Sequence, residues 1–279
     1  MSGLAIERPI VWANGLAPDR DVVAGVFGLR PLRYMSDAAP PAPPVVEGLR
    51  IKAIGCTERP VFHQSTGLYG FLRIPGGATR VEIEDPARRY LPWAVTVTVP
   101  DRAAIVDILR RGGTPPATPK PLLIDVALRP APGAPLPPWL TAIWGIVREA
   151  GGAPVPLARI GCATVGGDKV VTYAARDGAF LLVLPGEKPS SLASPPVFDF
   201  PRALTLHSPH AALAAALTGP SLVAAMPTGL ETLDPDIPGG PFQPRTFRLI
   251  DSAGAVTPGP NPPLPVRAAQ QSRWDIELF

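Results

Sequence analysis

Apolar and polar residues alternate along much of this chain, and a period of two predicts short β-strands. At 80–84, for example, Val81 and Ile83 alternate with charged residues. Other apolar runs end at turn-forming residues, as 180–184 does before Pro185 and Gly186. The strands predicted in this way cover residues 10–12, 22–29, 49–54, 67–72, 80–84, 90–99, 122–128, 139–148, 155–165, 170–174, 180–184, 204–206, 247–250 and 273–279.

Proline is unusually abundant, and it excludes a mainly helical fold. The chain has 40 prolines and 27 glycines among its 279 residues, whereas proline makes up about 5 % of an average protein. Neither residue is well tolerated inside a helix. Residues 40–44, 114–121 and 135–138 are predicted to form extended, proline-rich connectors.

Helices are predicted at two places, and both are short. Asp101 is predicted to cap a helix that ends at Leu109. Ser208 and Pro209 are predicted as the N-cap and the first turn of a second helix, over residues 211–217. Disorder throughout is excluded because 46 % of the residues are apolar and only 18 % are charged.

The charge pattern argues against a nucleic-acid partner. The net charge is +3, from 26 basic and 23 acidic residues, and the basic residues are scattered. A nucleic-acid-binding surface needs a dense basic face, often with stacking aromatics. No apolar stretch is long enough to span a membrane, and Glu7 and Arg8 interrupt the region that a signal peptide would keep apolar. We therefore expect cytoplasmic synthesis without a signal peptide, which leaves incorporation into a particle open.

The two cysteines, Cys56 and Cys162, are predicted to be small apolar residues on strands. Secreted domains that depend on disulfides carry many more cysteines than this. We therefore expect no disulfide between them.

The middle of the chain resembles a known domain family. An apolar strand at 143–148 leads through a Gly-Gly turn into residues 153–160, and later come Arg176-Asp177-Gly178-Ala179-Phe180 and Leu184-Pro185-Gly186. This order is similar to that of the carboxypeptidase regulatory-like domain, also called transthyretin-like, over residues 140–186. In that family an Asp-Gly-x-Phe hairpin is followed by a Pro-Gly turn.

A weaker resemblance to the same family covers residues 48–100. Residues 65–77 hold a similar turn, with Thr66 in place of the family's aspartate. The resemblance implies two β-sandwich modules that serve as structural, docking or folding appendages. The zinc site of a carboxypeptidase, with its clustered histidines and glutamates, is not found in this sequence.

The predicted fold is all-β: tandem transthyretin-like (Ig-like) antiparallel β-sandwiches with proline-rich connectors and at most one or two short helices. N-terminal strands and a connector are assigned to residues 1–46, the first sandwich to 47–113, and the second, carboxypeptidase-regulatory-like sandwich to 114–208. An irregular C-terminal region that ends in a docked strand is assigned to 209–279.

No catalytic, cofactor-binding or metal-binding residue is predicted. The three histidines are His63, His207 and His210, and Pro209 interrupts the helical spacing that a metal-binding His207–His210 pair would need. They are predicted to be solvated loop residues. The carboxylates that lie close together in sequence are predicted to line a solvated sheet face rather than to form an acid–base pair: Glu82, Glu84 and Asp85.

The sequence therefore favours a non-enzymatic structural or assembly protein, plausibly a component of a phage-tail-like or contractile-injection particle. Its partners would be other protein subunits, and self-association stays open. The alternative is a carbohydrate- or peptide-binding β-sandwich module that uses exposed aromatics, with the candidates Tyr69, Tyr90, Trp93 and Trp139. An enzyme of unrecognised chemistry would have to depend on the three histidines.

Overall fold

The computed structural model describes residues 26–34, 48–103, 122–164, 167–184, 199–219, 221–227, 230 and 235–279. Several predicted features lie outside these ranges: the strand at 10–12, residues 22–25 of the run at 22–29, the connectors at 40–44 and 114–121, and the helix beyond Ala103. No helix in the described part of the chain is long and apolar enough to cross a membrane.

The described residues form short strands, which confirms the predicted all-β fold. The first seven are β1 (Phe27–Arg33), β2 (Arg50–Ala53), β3 (Val61–His63), β4 (Leu68–Phe71), β5 (Gly77–Glu84), β6 (Trp93–Val99) and β7 (Leu122–Leu128). The next ten are β8 (Thr141–Glu149), β9 (Arg159–Ala163), β10 (Lys169–Tyr173), β11 (Ala179–Leu184), β12 (Asp199–Arg202), β13 (Leu204–Pro209), β14 (Phe242–Pro244), β15 (Phe247–Asp251), β16 (Leu264–Arg267) and β17 (Gln271–Leu278). Two short helices are α1 (Ala211–Ala216) and α2 (Leu222–Ala225).

The chain divides into two compact units. Among the described residues, the first unit takes 26–31, 48–83, 95–103 and 122–126, and the second takes 32–34, 84–94 and the rest from 127 onward. The predicted domain boundaries stay a prediction.

Two sheets build most of the first unit, with strand orders β3-β4-β1-β7 and β2-β5-β6. The alternation seen in the sequence places Val81 and Ile83 in the core, because successive side chains of a strand point to opposite faces. Phe27 and Phe71 stack with their ring centroids 5.4 Å apart. Aromatic pairs at this distance add to the stabilisation that burial provides.

The second unit is a sandwich of two four-stranded sheets. Sheet S1 has the order β10-β9-β13-β14, and sheet S2 has the order β11-β8-β17-β15. Alternate residues of both sheets point inward and form one apolar core. They include Ile160 and Leu206 from S1 and Phe180, Leu249 and Ile276 from S2. The opposite faces of S1 and S2, called here the outer faces, carry the polar chemistry described below.

The last strand, β17, departs from the predicted antiparallel arrangement. It pairs antiparallel with β15 but parallel with β8, with Arg273 beside Trp144 and Ile276 beside Val147. The predicted docked terminal strand is therefore an inner strand of S2. The C-terminal region, predicted to be irregular, supplies strands to both sheets of the sandwich.

The Asp177-Gly178 turn is present, but it does not close a hairpin. Gly178 has a φ of 77°, and the Asp177 carboxylate accepts a hydrogen bond from the N–H of Ala179 at 3.1 Å. The turn joins β10 of S1 to β11 of S2, so it carries the chain from one sheet to the other. The hairpin implied by the family resemblance therefore does not pair these two strands, because the turn geometry does not determine which strand becomes the neighbour.

Two local predictions in the second unit are wrong. The strand predicted at 155–165 begins only at Arg159, because residues before it form a turn in which Leu157 has a φ of 58°. Pro209 does not open a helix: it ends β13, paired with Phe242, and His210 precedes α1 without a side-chain cap. A proline is tolerated at a strand end, where a missing donor costs little.

Both cysteines are free thiols, as expected. Cys162 is buried on β9, which confirms its prediction. Cys56 lies in the turn that follows β2 and is half-buried, so its assignment to a strand is wrong.

Candidate functional site

The three histidines differ in their surroundings: His63 and His210 are exposed, and His207 is buried. His63 lies at the end of β3, where its Nδ1 is 2.8 Å from the hydroxyl of Thr66. His207 is buried on β13, which corrects its assignment as a solvated loop residue. Because His207 lies on a strand and His210 follows that strand, the pair lacks the helical spacing of a metal site. Across the described ranges, no three histidine, cysteine or acidic side chains form a group that could hold a metal ion.

The carboxylates of the predicted solvated face are not equivalent. Glu82 lies on β5, with its side chain 3.2 Å from the Arg80 guanidinium. Asp85 is buried, which corrects its prediction. Its two oxygens accept hydrogen bonds from the backbone N–H groups of Ala87 and Arg89 and from the Arg89 guanidinium. Asp85 therefore organises a turn.

The four candidate aromatics do not form a shared platform. Tyr69 and Trp93 are buried, Tyr90 is half-buried, and Trp139 is 68 % exposed. The ring of Trp93 lies 5.6 Å from that of Tyr173 within the second unit. The carbohydrate-binding alternative therefore loses two of its four candidates.

The outer face of S1 carries a row of buried polar side chains. Tyr173, Arg159 and His207 are direct neighbours across β10, β9 and β13, so all three point to the same side. All three are buried. Leu230 covers part of this face, since the Tyr173 hydroxyl donates a hydrogen bond to its carbonyl at 3.2 Å.

His207 is held by a carboxylate at one end of this row. Its Nε2 lies 2.9 Å from the Oδ1 of Asp236, and a carboxylate can only accept, so Nε2 carries the proton. Its Nδ1 is buried without a hydrogen-bond partner among the described residues. The hydrogen bond from His207 lowers the pKa of Asp236, and the charges of Lys169 and Arg159 act in the same direction.

At the other end of the row, Arg129 is buried among aromatic rings. Its guanidinium carbon lies 4.3 Å from the ring centroid of Tyr34 and 5.3 Å from that of Tyr173. Its Nε donates to the carbonyl oxygen of Val171 at 3.0 Å, and the N–H of Val171 donates to the Tyr34 hydroxyl at 2.9 Å. Two side chains thus satisfy both backbone groups of Val171 in the middle of β10.

The outer face of S2 is different, because it exposes a tryptophan and three arginines. Trp144 on β8 is 42 % exposed, and the guanidinium carbon of Arg273 lies 5.4 Å from the centroid of its ring. Beside it, Arg148 and Arg273 both bind Asp275, at 2.6 and 3.2 Å. Arg248 binds Glu277 at 2.5 Å. We call this set the Trp-Arg face: Trp144, Arg148, Arg248, Arg273, Asp275 and Glu277.

Ion pairing on the Trp-Arg face hides the carboxylates and exposes the guanidinium groups. The side chains of the three arginines are 34–43 % exposed, whereas those of Asp275 and Glu277 are 8 and 12 % exposed. Asp275 also accepts a hydrogen bond from the N–H of Ile146 at 3.1 Å, which fixes its position. A partner that approaches this face therefore meets cationic groups around an indole ring.

The first unit has an open cleft of its own. Its volume is about 390 Å³, and its lining residues are Gly55, Cys56, Thr57, Glu58, Arg73 and Pro75. The carboxylate of Glu58 accepts a hydrogen bond from the N–H of Arg73 at 2.6 Å and thereby fixes one wall.

Sequence reasoning could have found part of the Trp-Arg face. The alternation at 273–279 places Trp274, Ile276 and Leu278 on one side of the strand, which leaves Arg273, Asp275 and Glu277 together on the other. The buried arginines, Arg129 and Arg159, had no comparable signal. Their surroundings come from strands that are distant in sequence.

No family model matches the chain, and no curated protein matches it. The resemblance to carboxypeptidase regulatory-like domains therefore stays a prediction. Among solved structures, the Bacillus anthracis TIE protein is 9 % identical over 88 % of this chain, with a TM-score of 0.22. This chain covers 43 % of that structure.

Two further structures show similarity of the same degree. The shaft pilin SpaA from Lactobacillus rhamnosus GG is 9 % identical, with 91 % of this chain and 97 % of the pilin covered and a TM-score of 0.22. A leucine-rich repeat protein from Bacteroides thetaiotaomicron VPI-5482 has the same identity and TM-score, with 91 % of this chain and 26 % of that chain covered. Similarity this distant does not indicate a function.

Proposed function

We propose that the protein is a non-enzymatic assembly protein that docks an acidic surface of another protein subunit on its Trp-Arg face. The observation that carries this proposal is the 42 % exposure of Trp144 at the centre of a sheet face, with Arg273 stacked on it. Tryptophan and arginine are the side chains that most often dominate binding energy in protein interfaces.

The charge of the Trp-Arg face supports an acidic protein partner. Three arginines stand against two carboxylates, which leaves one net positive charge, and the carboxylates are the buried members of the pairs. An approaching carboxylate can therefore bind an outward guanidinium bidentately. A nucleic acid would bind this face less tightly, because the paired carboxylates cancel most of the positive charge that phosphate groups require.

The same geometry argues against a carbohydrate ligand on this face. A sugar ring binds a tryptophan by lying flat on the indole, but Arg273 already occupies one face of Trp144. The type of assembly, for which the sequence suggested a phage-tail-like or contractile-injection particle, stays a prediction.

Density-gradient sedimentation of native lysate tests this proposal. We expect the wild-type chain in complexes much larger than its 29.3 kDa. We expect Trp144→Ala to move most of the chain to the position of free protein, because the indole supplies the contact area at the centre of the face. Nuclease treatment should leave the wild-type complexes intact.

The matched control is Trp139→Ala, which removes an even more exposed tryptophan that lies before β8. It should sediment as the wild type does. Wild-type protein that sediments as a free chain would overturn the proposal, as would complexes that survive Trp144→Ala. A homodimer of the purified chain that Trp144→Ala dissociates would also overturn it, because the face would then bind a second copy.

A further inference from the structure

Hydrogen-bond donors converge over Gly161 on the outer face of S1. A Cβ atom placed on this glycine would lie 2.5 Å from the hydroxyl oxygen of Thr205, 3.8 Å from Cε of Lys169 and 3.9 Å from Nη1 of Arg159. One hydroxyl, one ammonium-bearing carbon and one guanidinium nitrogen thus surround a single point. Because residue 161 has no side chain, these three groups can approach one another directly over its backbone.

Arg159 is the unusual member of this group. Only 6 % of Arg159 is exposed. Its Nε and Nη1 have no hydrogen-bond acceptor among the described residues. A buried donor without an acceptor costs about 1–3 kcal/mol, and more when it is charged. A bound water or ion is one of the explanations for such donors in folded proteins. By contrast, Lys169 and Thr205 are exposed, so the rim of this group faces solvent although Gly161 itself is buried.

We propose that Arg159, Lys169 and Thr205 form a binding site for a small oxyanion over Gly161. The shared chemistry of the ligand is a compact group of negatively charged oxygens, as found in phosphates and carboxylates. Arg159 would bind two oxygens with its planar guanidinium, Lys169 would supply a second positive charge, and the Thr205 hydroxyl would donate the remaining hydrogen bond.

Asp236 sets the affinity of this site. Its carboxylate binds His207, the cross-strand neighbour of Arg159, and it lies close enough to both cations to feel their charge. The site therefore has two cations and one carboxylate, a net charge of +1. The ligand must compete with this carboxylate for the cations, and removing the charge of Asp236 strengthens binding of the ligand.

The experiment is a titration of the isotope-labelled chain with inorganic phosphate and, separately, with acetate, at constant ionic strength. Backbone amide chemical shifts are the readout. We expect saturable shifts at Gly161 and its neighbours. Tighter binding of phosphate would identify phosphate groups as the ligand source, and tighter binding of acetate would identify carboxylates.

Substitutions at two exposed positions test the assignment and leave the buried polar residues of S1 unchanged. Lys169→Gln should weaken binding of the preferred anion about tenfold, the loss expected for one charge-assisted hydrogen bond. Asp236→Asn should strengthen binding several-fold, while its side-chain oxygen can still accept from His207. Lys52→Gln, an exposed lysine on β2 of the first unit, is the matched control and should leave the affinity unchanged.

The proposal is overturned if neither anion produces saturable shifts at Gly161. It is also overturned if Lys169→Gln binds as the wild type does, or if Lys52→Gln weakens binding equally, since the effect would then reflect net charge alone.

Discussion

Arg129 lies over the indole ring of Trp93, with 4.6 Å between its guanidinium carbon and the ring centroid. Tyr34 and Tyr173 surround the same guanidinium, which is almost fully buried. No carboxylate is bonded to Arg129 among the described residues. The negative faces of three aromatic rings and the carbonyl of Val171 therefore compensate part of a buried positive charge, while Nη1 has no hydrogen-bond partner among the described residues.

We expect Arg129→Ala to lower the free energy of unfolding by about 3 kcal/mol. The substitution leaves a cavity between three rings and removes the donor to the Val171 carbonyl. Arg129→Lys should lose about 1–2 kcal/mol, because it keeps the charge but lacks the planar group that stacks on the rings. Urea denaturation measures both. Wild-type stability in Arg129→Ala would show that the aromatic surroundings contribute nothing.

We expect Gly145→Ala to destabilise the protein by about 3 kcal/mol or more, or to prevent folding. A Cβ atom on residue 145 would lie 2.0 Å from the carbonyl oxygen of Trp274, so the parallel strands β8 and β17 could not approach. Gly151→Ala is the control, because its Cβ would meet open space. Thermal unfolding checks the pair, and equal midpoints would contradict the close approach of the two strands.

We expect Asp275→Asn to cost about 2 kcal/mol, because two arginines and the N–H of Ile146 share this one carboxylate. Glu277→Gln should cost less, because Glu277 pairs with Arg248 alone. A double-mutant cycle between Arg148 and Asp275 should give a coupling of about 1 kcal/mol or more. A coupling near zero would mean that the 2.6 Å contact adds no stability.

Asp85 should make the protein sensitive to acid. Burial raises the pKa of Asp85, but the hydrogen bonds from the Arg89 side chain and from the N–H groups of Ala87 and Arg89 outweigh it and hold the pKa below 3.8. A lowered folded-state pKa stabilises the protein above the unfolded-state pKa, and this stability is lost as pH falls through the folded-state value.

Urea midpoints measured between pH 7 and pH 2.5 test this expectation. In the wild type they should fall steeply below about pH 4, the range of an ordinary carboxyl group. Asp85→Asn should be less stable at pH 7 and should lose less on acidification. Asp199→Asn, at an 81 % exposed carboxylate, is the control and should follow the wild-type curve. An unchanged acid slope in Asp85→Asn would refute the assignment.

The sequence predicted the strands well because their signals are local. Val81 and Ile83 alternate with charged residues on β5, and the structure buries both. The partner of each strand was harder to predict from the sequence, since β17 pairs with β8 across about 130 intervening residues. A periodic pattern shows which face of a strand is buried, but it does not show which strand lies beside it.

The candidate sites were harder to predict for a related reason. His207 was assigned to a loop because Pro209 follows it, yet a proline at the last position of β13 is compatible with a strand. Arg129 and Arg159 are buried only because distant aromatic and polar side chains surround them. Arginine is usually exposed, so sequence alone assigns both to the surface.

The bonds that Tyr34 and Arg129 make with Val171 also have a consequence for solubility. A sheet edge with free N–H and C=O groups is a template on which another chain can add a strand, and this is how β-rich proteins begin to form fibrils. At β10 a phenol and a guanidinium occupy those groups. Substituting either side chain would leave a backbone group of Val171 free at this edge, so we expect such variants to aggregate more readily than the wild type.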